Sequence, residues 1–555
     1  MRAGLATFVG GLRSALLLAS VWTLAACGGA ATPTNGDTLR LVSGADPPGL
    51  NPLVTDNAGV TYFSPLVHGF LLTTDGEGRL QPDLATQVPT LANGGISPDG
   101  RTITYRLRRG VTWQDGASFD ARDVLFSIAA VLNPANNVPD RTGFDQIRDY
   151  RALDAYTVRV RLRRPFSPFV ASVLSLGAND PYPILPAHLL SGKHDLNRDP
   201  YNGAPVGLGP YRLVSWQRGS RLEFAANEHY FRGAPGFKRV TVSIVPDPNS
   251  ALALWKSGAL DVIVARTTTG RAYLQAVRAV SGTTTILKPH NEFDFVVFDT
   301  ARRPLDDPRV RRAVVLGVDR NRIMRVLDGD LWVPGDGDRL PGEFAFDPAL
   351  KQPGFDPIAA ARELDAAGWH LRDGVRVKDG RPLVLDAVAA TESPATGRFN
   401  LLLQQDLARL GIKTNLKSYA YNIIWASAAQ GGINQTGRFD LEYSGWQPNS
   451  VEDHSYLFRC ADRPPNGDNL ARVCDPAIEA AAREELDSAD PLRQAEGDRA
   501  IARRLVDRSD LLFLGFTRDG VGFRDDVAGI VPSVTGMHLW NVWRWRRVPG
   551  RAPTG

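Results

Sequence analysis

Residues 97–116 read SPDGRTITYRLRRGVTWQDG, and residues 120–132 read DARDVLFSIAAVL. Polar and apolar side chains alternate over Thr102–Leu107, as they do in a strand with one buried face. Asp120 stands where a side chain can cap a helix, and Asp123 in the first turn favours the positive end of the helix dipole. This part of the chain therefore predicts a strand followed closely by a helix.

The same two signals recur along the chain. An aspartate followed by proline predicts helix starts at Asp307, Asp356 and Asp475, because proline suits the first position of a helix. Mixed strands and helices over this length predict an α/β fold whose helices pack on sheets. Alternating or apolar segments predict strands at Thr38–Ser43, Thr157–Leu162, Tyr211–Trp216, Arg221–Ala225, Val240–Val245, Phe293–Phe298 and Leu511–Phe516.

Composition is that of a folded, globular protein. The chain has 555 residues, of which 43% are apolar and 22% are charged, and it is too long for one simple core. The formal charge is only +4, because 64 basic residues stand against 60 acidic ones. Nucleic-acid-binding proteins concentrate basic charge on one face, so we expect no nucleic-acid partner.

The N-terminus has the features of an export leader. Arg2 and Arg13 supply positive charge, and the apolar stretch that follows is too short to span a bilayer comfortably. Leu24-Ala25-Ala26-Cys27 resembles a lipobox, in which Cys27 is lipidated and becomes the first mature residue. We expect a lipoprotein signal peptide at 1–26 and a tether at 27–37, anchored to the cell membrane and facing the periplasm or the cell exterior. The alternative is an ordinary secretory leader with an incidental cysteine.

Two cysteines remain in the body of the chain. An exported compartment permits disulfides, so we favour a bond between Cys460 and Cys474. A metal site that includes His454 and a pair of free thiols are the alternatives.

Known catalytic motifs are missing from the sequence. It contains neither H-E-x-x-H nor G-x-S-x-G, and Gly207-Leu208-Gly209 does not continue as a dinucleotide fingerprint. Asp306 and Asp307 resemble paired carboxylates, but Asp307 is better explained as a helix cap. We therefore expect no enzyme activity, no cofactor and no metal.

Seven blocks of the sequence stand out in order along the chain. They are DPPGLNP at 46–52, HGFLL at 68–72, one long block at 97–127, GLGPYRLVSW at 207–216, PLDDPRVRRA at 304–313, the segment 355–369 and FDLEYSGW at 439–446. Together they resemble the family 5 extracellular solute-binding proteins, the peptide- and nickel-binding class of ABC importers, and the matches run in family order from about residue 39 to residue 545.

The resemblance implies a two-lobed, periplasmic-binding-protein-like α/β fold with an extra domain and two hinge strands. The hinge strands are the apolar segments Phe293–Phe298 and Leu511–Phe516. Lobes of this kind close around a ligand that lies between them. The implied domains are lobe I at 38–60, 206–292 and 511–547, the extra domain at 61–205, and lobe II at 293–510.

The implied function is that of a lipid-anchored, monomeric solute-binding subunit. It captures a peptide or peptide-like solute and delivers it to an ABC permease, whose separate ATPase subunits hydrolyse ATP. A ligand-sensing receptor of the same fold and an exported lipoprotein hydrolase are the alternatives.

The resemblance also implies which residues contact the solute. They are Asp56, Asn57, Ala58, Trp425, Tyr443, Gly445, Trp446, Gln447, Asn449 and Asp453. Aromatic side chains offer large, rigid contact surfaces, although Trp425 and Trp446 would also suit the core of a lobe.

One position departs from the family pattern. Peptide-binding relatives carry an aspartate three residues after the tryptophan, where it pairs with the α-ammonium of the ligand, and this chain has Asn449. An amide supplies no charge, so that ion pair is lost unless Glu452 or Asp453 replaces it. Modified peptides, sugars, opine-like molecules and metal chelates therefore remain open as solutes.

Overall fold

Helices and strands are interspersed along the described chain. The computed structural model of this protein describes residues 36–55, 57–178, 180–447 and 453–548. The helices are α1 (Ala58–Val67), α2 (Ala121–Leu132), α3 (Phe169–Ser172), α4 (Ala187–Leu190), α5 (Pro248–Lys256), α6 (Gly270–Arg278), α7 (Pro308–Gly317), α8 (Arg320–Leu327), α9 (Pro357–Ala366), α10 (Pro394–Arg409), α11 (Tyr421–Ile424), α12 (Ile433–Thr436), α13 (Pro476–Asp487) and α14 (Pro491–Arg508). None of the helices in these ranges is long and apolar enough to cross a bilayer.

The strands are more numerous and mostly short. They are β1 (Thr38–Ser43), β2 (Leu72–Thr74), β3 (Leu80–Pro82), β4 (Thr102–Arg106), β5 (Ile147–Asp154), β6 (Thr157–Leu162), β7 (Tyr211–Gln217), β8 (Arg221–Ala226), β9 (Arg239–Ile244), β10 (Val262–Ala265), β11 (Thr283–Phe298), β12 (Trp332–Val333), β13 (His370–Arg372), β14 (Val375–Lys378), β15 (Arg381–Pro382), β16 (Val384–Ala390), β17 (Lys413–Tyr419), β18 (Leu441–Trp446), β19 (Leu511–Arg524), β20 (Val527–Ala528) and β21 (Arg546–Arg547).

The largest sheet is built around β11 and β19. Its order is β10-β19-β11-β18-β16-β17, with β12 beside β19. β11 and β19 are antiparallel and pair from Thr283 opposite Arg524 to Val297 opposite Leu511. The apolar pattern predicts only the ends Phe293–Phe298 and Leu511–Phe516, because the remaining paired residues include many polar ones that carry no hydrophobic signal.

Local signals in the sequence are confirmed in the quoted stretch and at the Asp-Pro pairs. The strand β4 and the helix α2 form as predicted, and Asp120 and Asp123 build a capping box at the start of α2. The carboxylates of Asp307, Asp356 and Asp475 accept backbone N–H groups in the first turns of α7, α9 and α13. These caps depend on neighbours in sequence, which explains why the sequence predicts them.

Buried apolar side chains form separate cores. One uses residues between Leu53 and Leu208, around β4–β6 and α2, and is called the extra domain below. A second joins β1 and β7–β9 to residues 521–545 and defines the first lobe. Two more, around β16–β18, α7, α10, α13 and α14, define the second lobe.

The strand β19 contributes to both lobes of this α/β fold. Val521 packs in the first lobe, whereas Leu512 packs in the second lobe. The same strand therefore runs from one lobe into the other, and β11 pairs with it along nearly its whole length.

The block GLGPYRLVSW has a steric reason for its glycines. A Cβ at residue 207 would lie 1.8 Å from the carbonyl oxygen of Val67, and one at residue 209 would lie 2.7 Å from it. The N–H of Gly209 donates to that oxygen at 2.8 Å. Only glycine lets the chain approach the end of α1 so closely before β7 begins.

Candidate functional site

The end of β18 lies where the two lobes meet. In the pairing of β18 with β11, Trp446 is opposite Phe293 and Gly445 is opposite Asp294. One residue further on, the Nε2 of Gln447 donates a hydrogen bond to the carbonyl oxygen of Thr535 at 2.9 Å. Thr535 lies in the C-terminal segment that packs in the first lobe, so this bond joins the second lobe to the first.

Aromatic rings cluster around Trp446. Its Nε1 donates to the hydroxyl of Tyr456 at 2.7 Å, and its ring centroid lies 6.5 Å from that of Trp425. Trp425 in turn lies 6.1 Å from Tyr421. Trp425 and Trp446 are both half-buried and pack against the core of the second lobe, which leaves part of each indole accessible. Such surfaces suit contact with a small organic molecule.

A cavity of about 610 Å³ lies beside this cluster, between the extra domain and the second lobe. This volume is within the usual range of small-molecule sites. Tyr456 and Asp453 line it from the second lobe, and Phe144 and Tyr182 line it from the extra domain. The cavity is therefore continuous with the aromatic cluster through Tyr456.

The described walls of the cavity are acidic. Burial raises the pKa of Asp468, and the charges of Asp462 and, on the opposite wall, Asp140 raise it further. Arg459 is paired with Asp462 at 2.5 Å, so its charge is already compensated. The charged residues that line the cavity are Asp140, Asp145, Asp180, Asp453, Asp462, Asp468, Arg164 and Arg459.

Carboxyl groups also surround Gly445. A Cβ at residue 445 would lie 2.9 Å from Asp294 Oδ1 and 2.9 Å from Glu292 Oε1, so glycine leaves room for both. Burial raises the pKa of Asp294 well above its usual value, and the nearby charges of Glu292 and Asp328 add to the effect. Sequence reasoning missed both acids, because they lie about 150 residues from Gly445 and the sequence contains no sign of their proximity.

A buried polar cluster surrounds His454, close in sequence to Tyr456 of the aromatic cluster. The Nδ1 of His454 lies 2.6 Å from Asp338 Oδ2, and the Nε of Arg339 donates to Asp498 Oδ2 at 2.7 Å. Burial opposes ionisation of Asp338, but the hydrogen bond with His454 and the positive charges of His454 and Arg339 together lower the pKa of Asp338. One atom each of Asp338, His454 and Asp498 lies within 4.8 Å of the others, so these three could hold a metal ion. Arg339 already supplies a positive charge there, which favours a structural ion network.

Asn57 and Ala58, near the N-terminal end of the described chain, lie at the start of α1. The Oδ1 of Asn57 accepts the N–H of Gly59 at 2.9 Å and caps α1, of which Ala58 is the first residue. Among the described residues, no hydrogen bond or ring contact joins Asn57 to the aromatic cluster. Cys27, Asp56 and Asn449 lie outside the described residues.

The structure joins Cys460 and Cys474 by a disulfide bond with an S–S distance of 2.14 Å. Both sulfurs are used in this bond and His454 pairs with Asp338, so the three residues do not form the alternative metal site. The disulfide closes the loop that carries Asp462 and Asp468, two of the acids of the cavity wall.

Known proteins resemble this chain over most of its length. Protein XP55 of Streptomyces lividans is 29% identical over 450 residues, which cover 80% of this chain and 77% of that protein. Di/tripeptide-binding protein 2 of Pseudomonas aeruginosa is 27% identical over 504 residues, covering 85% of this chain and 87% of that protein. The crystal structure of NikA from Brucella suis in complex with Fe(III)-EDTA has a TM-score of 0.79 at 23% identity and covers 92% of this chain and 100% of that chain.

The family comparison covers the site as well as the fold. The family described as bacterial extracellular solute-binding proteins, family 5 middle, matches residues 79–468, which include β4–β6 of the extra domain, β11 and β18. Because this match spans more than half of the chain, the protein belongs to the family 5 extracellular solute-binding proteins of bacteria.

Proposed function

We propose that this protein is the lipid-anchored solute-binding subunit of an ABC importer. It captures a peptide or peptide-like solute between its two lobes and delivers it to a membrane permease, without chemistry of its own. Membership of the family supports solute binding, and the name of the Pseudomonas relative supports peptides as the solute class. The lipobox-like sequence that ends at Cys27 supports the anchor.

The observation that carries this proposal is the position of the aromatic cluster. Trp446 ends a strand that pairs with β11, and the next residue bonds to the first lobe through Thr535. A solute held there would contact both lobes at once, so its binding free energy would favour the closed arrangement. The same position supports lobe boundaries at 38–60, 206–292 and 511–547 for lobe I, 61–205 for the extra domain and 293–510 for lobe II.

The proposed solute contacts follow from this geometry. We assign Trp425, Tyr443, Gly445, Trp446 and Gln447 to the side of the second lobe, together with Asp453 on the cavity wall. Asp56, Asn57, Ala58 and Asn449 complete the proposed set.

The test is native mass spectrometry of the mature protein, alone and with an equimolar mixture of synthetic tripeptides. We expect a bound peptide, and we expect Trp446→Ala to weaken its binding at least about tenfold, because the indole supplies a rigid apolar face. The melting temperature of this variant should stay near that of the wild type, since Trp446 is only half-buried.

The control is Trp543→Ala, which removes another half-buried tryptophan far along the chain, in the first-lobe segment. Its peptide affinity should equal that of the wild type. A wild-type protein that binds no peptide contradicts the proposed solute class. A large loss of thermal stability in Trp446→Ala would instead assign this tryptophan to the core.

A further inference from the structure

We infer that Glu292 is a specificity-determining residue whose carboxylate binds a cationic nitrogen of the solute beside the aromatic cluster. This inference rests on the proposed function and names the chemical class of the solute. It depends on the position of Glu292, its exposure and its partners.

Glu292 lies at the junction of the two lobes. The regular pairing of β11 with β19 is interrupted between His290 and Phe293, and Glu292 falls within this interruption. It directly precedes the pair formed by Phe293 and Trp446. Its Oε1 lies close to Gly445, at a place that a side chain on residue 445 would occupy. The carboxylate is thus held against the backbone of the segment that carries Trp446.

The carboxylate of Glu292 has little compensating charge. Its side chain is 38% exposed, and its one ion-pair contact among the described residues is with His290 Nδ1, at 3.4 Å. No lysine or arginine of the described chain lies within 4.0 Å of it. By comparison, the buried Asp519 on the other long strand contacts His538 at 2.9 Å and Arg266 at 3.6 Å. Glu292 therefore retains capacity for a cation.

The neighbouring Asp294 adds little competing negative charge beside Glu292. Asp294 is 5% exposed, and burial together with the nearby carboxylates favours its neutral form. A neutral Asp294 places no like charge directly beside the carboxylate of Glu292. A solute cation would find there a partly exposed carboxylate, with which it would form a strong charge-assisted hydrogen bond.

The aromatic cluster offers the same preference. The charge of Glu292 acts on the hydroxyls of Tyr443 and Tyr421, and Tyr421 contacts Trp425. Aromatic faces attract cations through their electron-rich surfaces. The acidic cavity, which Tyr456 lines, adds negative potential on the other side of the aromatic cluster. Carboxylate, rings and cavity therefore all favour a positively charged solute over a neutral one.

The experiment compares two equimolar mixtures of tripeptides with uncharged side chains, one with free amino ends and one N-acetylated. Acetylation removes the only cation of each peptide. Native mass spectrometry identifies the peptides bound, and calorimetry measures the affinity of the tightest pair. We expect the wild type to bind the free form at least about tenfold more tightly, and Glu292→Gln to lose this preference without losing affinity for the acetylated form.

Two further variants make the result specific. Glu292→Asp keeps the charge on a shorter side chain and should retain part of the preference. Glu228→Gln makes the same charge change at an exposed position of the first lobe and should behave as the wild type. Melting curves of all variants check folding, and if Glu292→Gln fails to fold, the comparison of Glu292→Asp with the wild type decides.

The outcomes separate the two proposals. If the wild type binds both forms equally, or if Glu292→Gln and Glu292→Asp keep the full preference, the inference is wrong and the proposed function stands. If the preference is lost in Asp453→Asn but not in Glu292→Gln, the cation belongs to the cavity wall and the inference is again wrong. If the wild type binds neither form, the proposed solute class fails and the inference fails with it.

Discussion

At the scale of residues, acidic side chains enclosed in the second lobe make the stability of the protein depend on pH. Burial raises the pKa of Glu442 on β18 from 4.5 to about 8, and a hydrogen bond from Asn434 only partly opposes this. Burial also raises the pKa of Glu343 to about 7 and that of Asp328 to about 6. The folded protein thus holds protons that the unfolded chain releases at lower pH.

The sign of the dependence follows for Glu442. The stability that protonated Glu442 contributes is fully present below about pH 4.5, the pKa of this side chain in the unfolded protein. It is lost as the pH rises to about 8, the pKa of the same side chain in the folded protein. We expect the free energy of unfolding to fall from pH 5 to pH 8, and to fall less steeply in Glu442→Gln, which stays neutral and can still accept from Asn434. Each pH unit in this range is worth up to about 1.4 kcal/mol for one group.

Urea unfolding at several pH values measures how steeply the free energy of unfolding falls with pH. Glu484→Gln on α13, an exposed position, is the control and should follow the wild type. Equal slopes in Glu442→Gln and the wild type would mean that Glu442 does not hold its proton in the folded state.

Whether a residue's role can be predicted from the sequence depends on where its partners are. Asp356 caps α9 through the N–H groups of residues two and three positions later, so a short motif predicts it. Glu292 and Asp294 owe their environments to Gly445, which only the pairing of β11 with β18 brings near. The family resemblance predicts the region of Trp446 but says nothing about these two acids.

At the scale of elements, the strands predicted at Thr38–Ser43 and Thr157–Leu162 are confirmed as β1 and β6, whereas the two strands predicted between the lobes are too short. The strand β19 continues from Phe516 to Arg524, and β11 begins ten residues before Phe293. The extensions interleave polar residues and glycines with a few apolar ones such as Val521, so they carry no continuous hydrophobic pattern, and backbone hydrogen bonds pair them. The extensions matter because Glu292 lies in that of β11 and because their pairing continues the two strands from one lobe into the other.

The disulfide is an element-scale constraint that can be removed. Cys460 and Cys474 are 14 residues apart, and a loop of about 15 residues constrains the unfolded chain by about 3 kcal/mol in the chain-entropy model. The double variant Cys460→Ser, Cys474→Ser should lose about this much free energy of unfolding in urea titrations. A reductant should destabilise the wild type and leave the double variant unchanged. Labelling of both thiols in the unfolded, unreduced wild type would show that the bond is not formed.

At the scale of the whole protein, hydrogen bonds and ion pairs connect regions that have separate cores. The N–H of Ser167 in the extra domain donates to the carbonyl oxygen of Leu486 in the second lobe at 2.9 Å. Gln447 makes the corresponding contact to the first lobe through Thr535. Such polar contacts are cheap to break compared with the apolar cores, so we expect the lobes to move as units about β11 and β19.

Gln447 offers the direct test of this motion. Because its side-chain amide bonds the first lobe, Gln447→Ala should shift the solute-free protein towards open arrangements and raise its radius of gyration in small-angle X-ray scattering. A saturating tripeptide should restore the compact value, since bound solute still favours closure, but the peptide should dissociate faster than from the wild type. Gln494→Ala is the matched control, because the Nε2 of Gln494 bonds Ser488 within the second lobe. If the scattering of both variants equals that of the wild type, with and without peptide, Gln447 does not hold the lobes together and closure depends on other contacts.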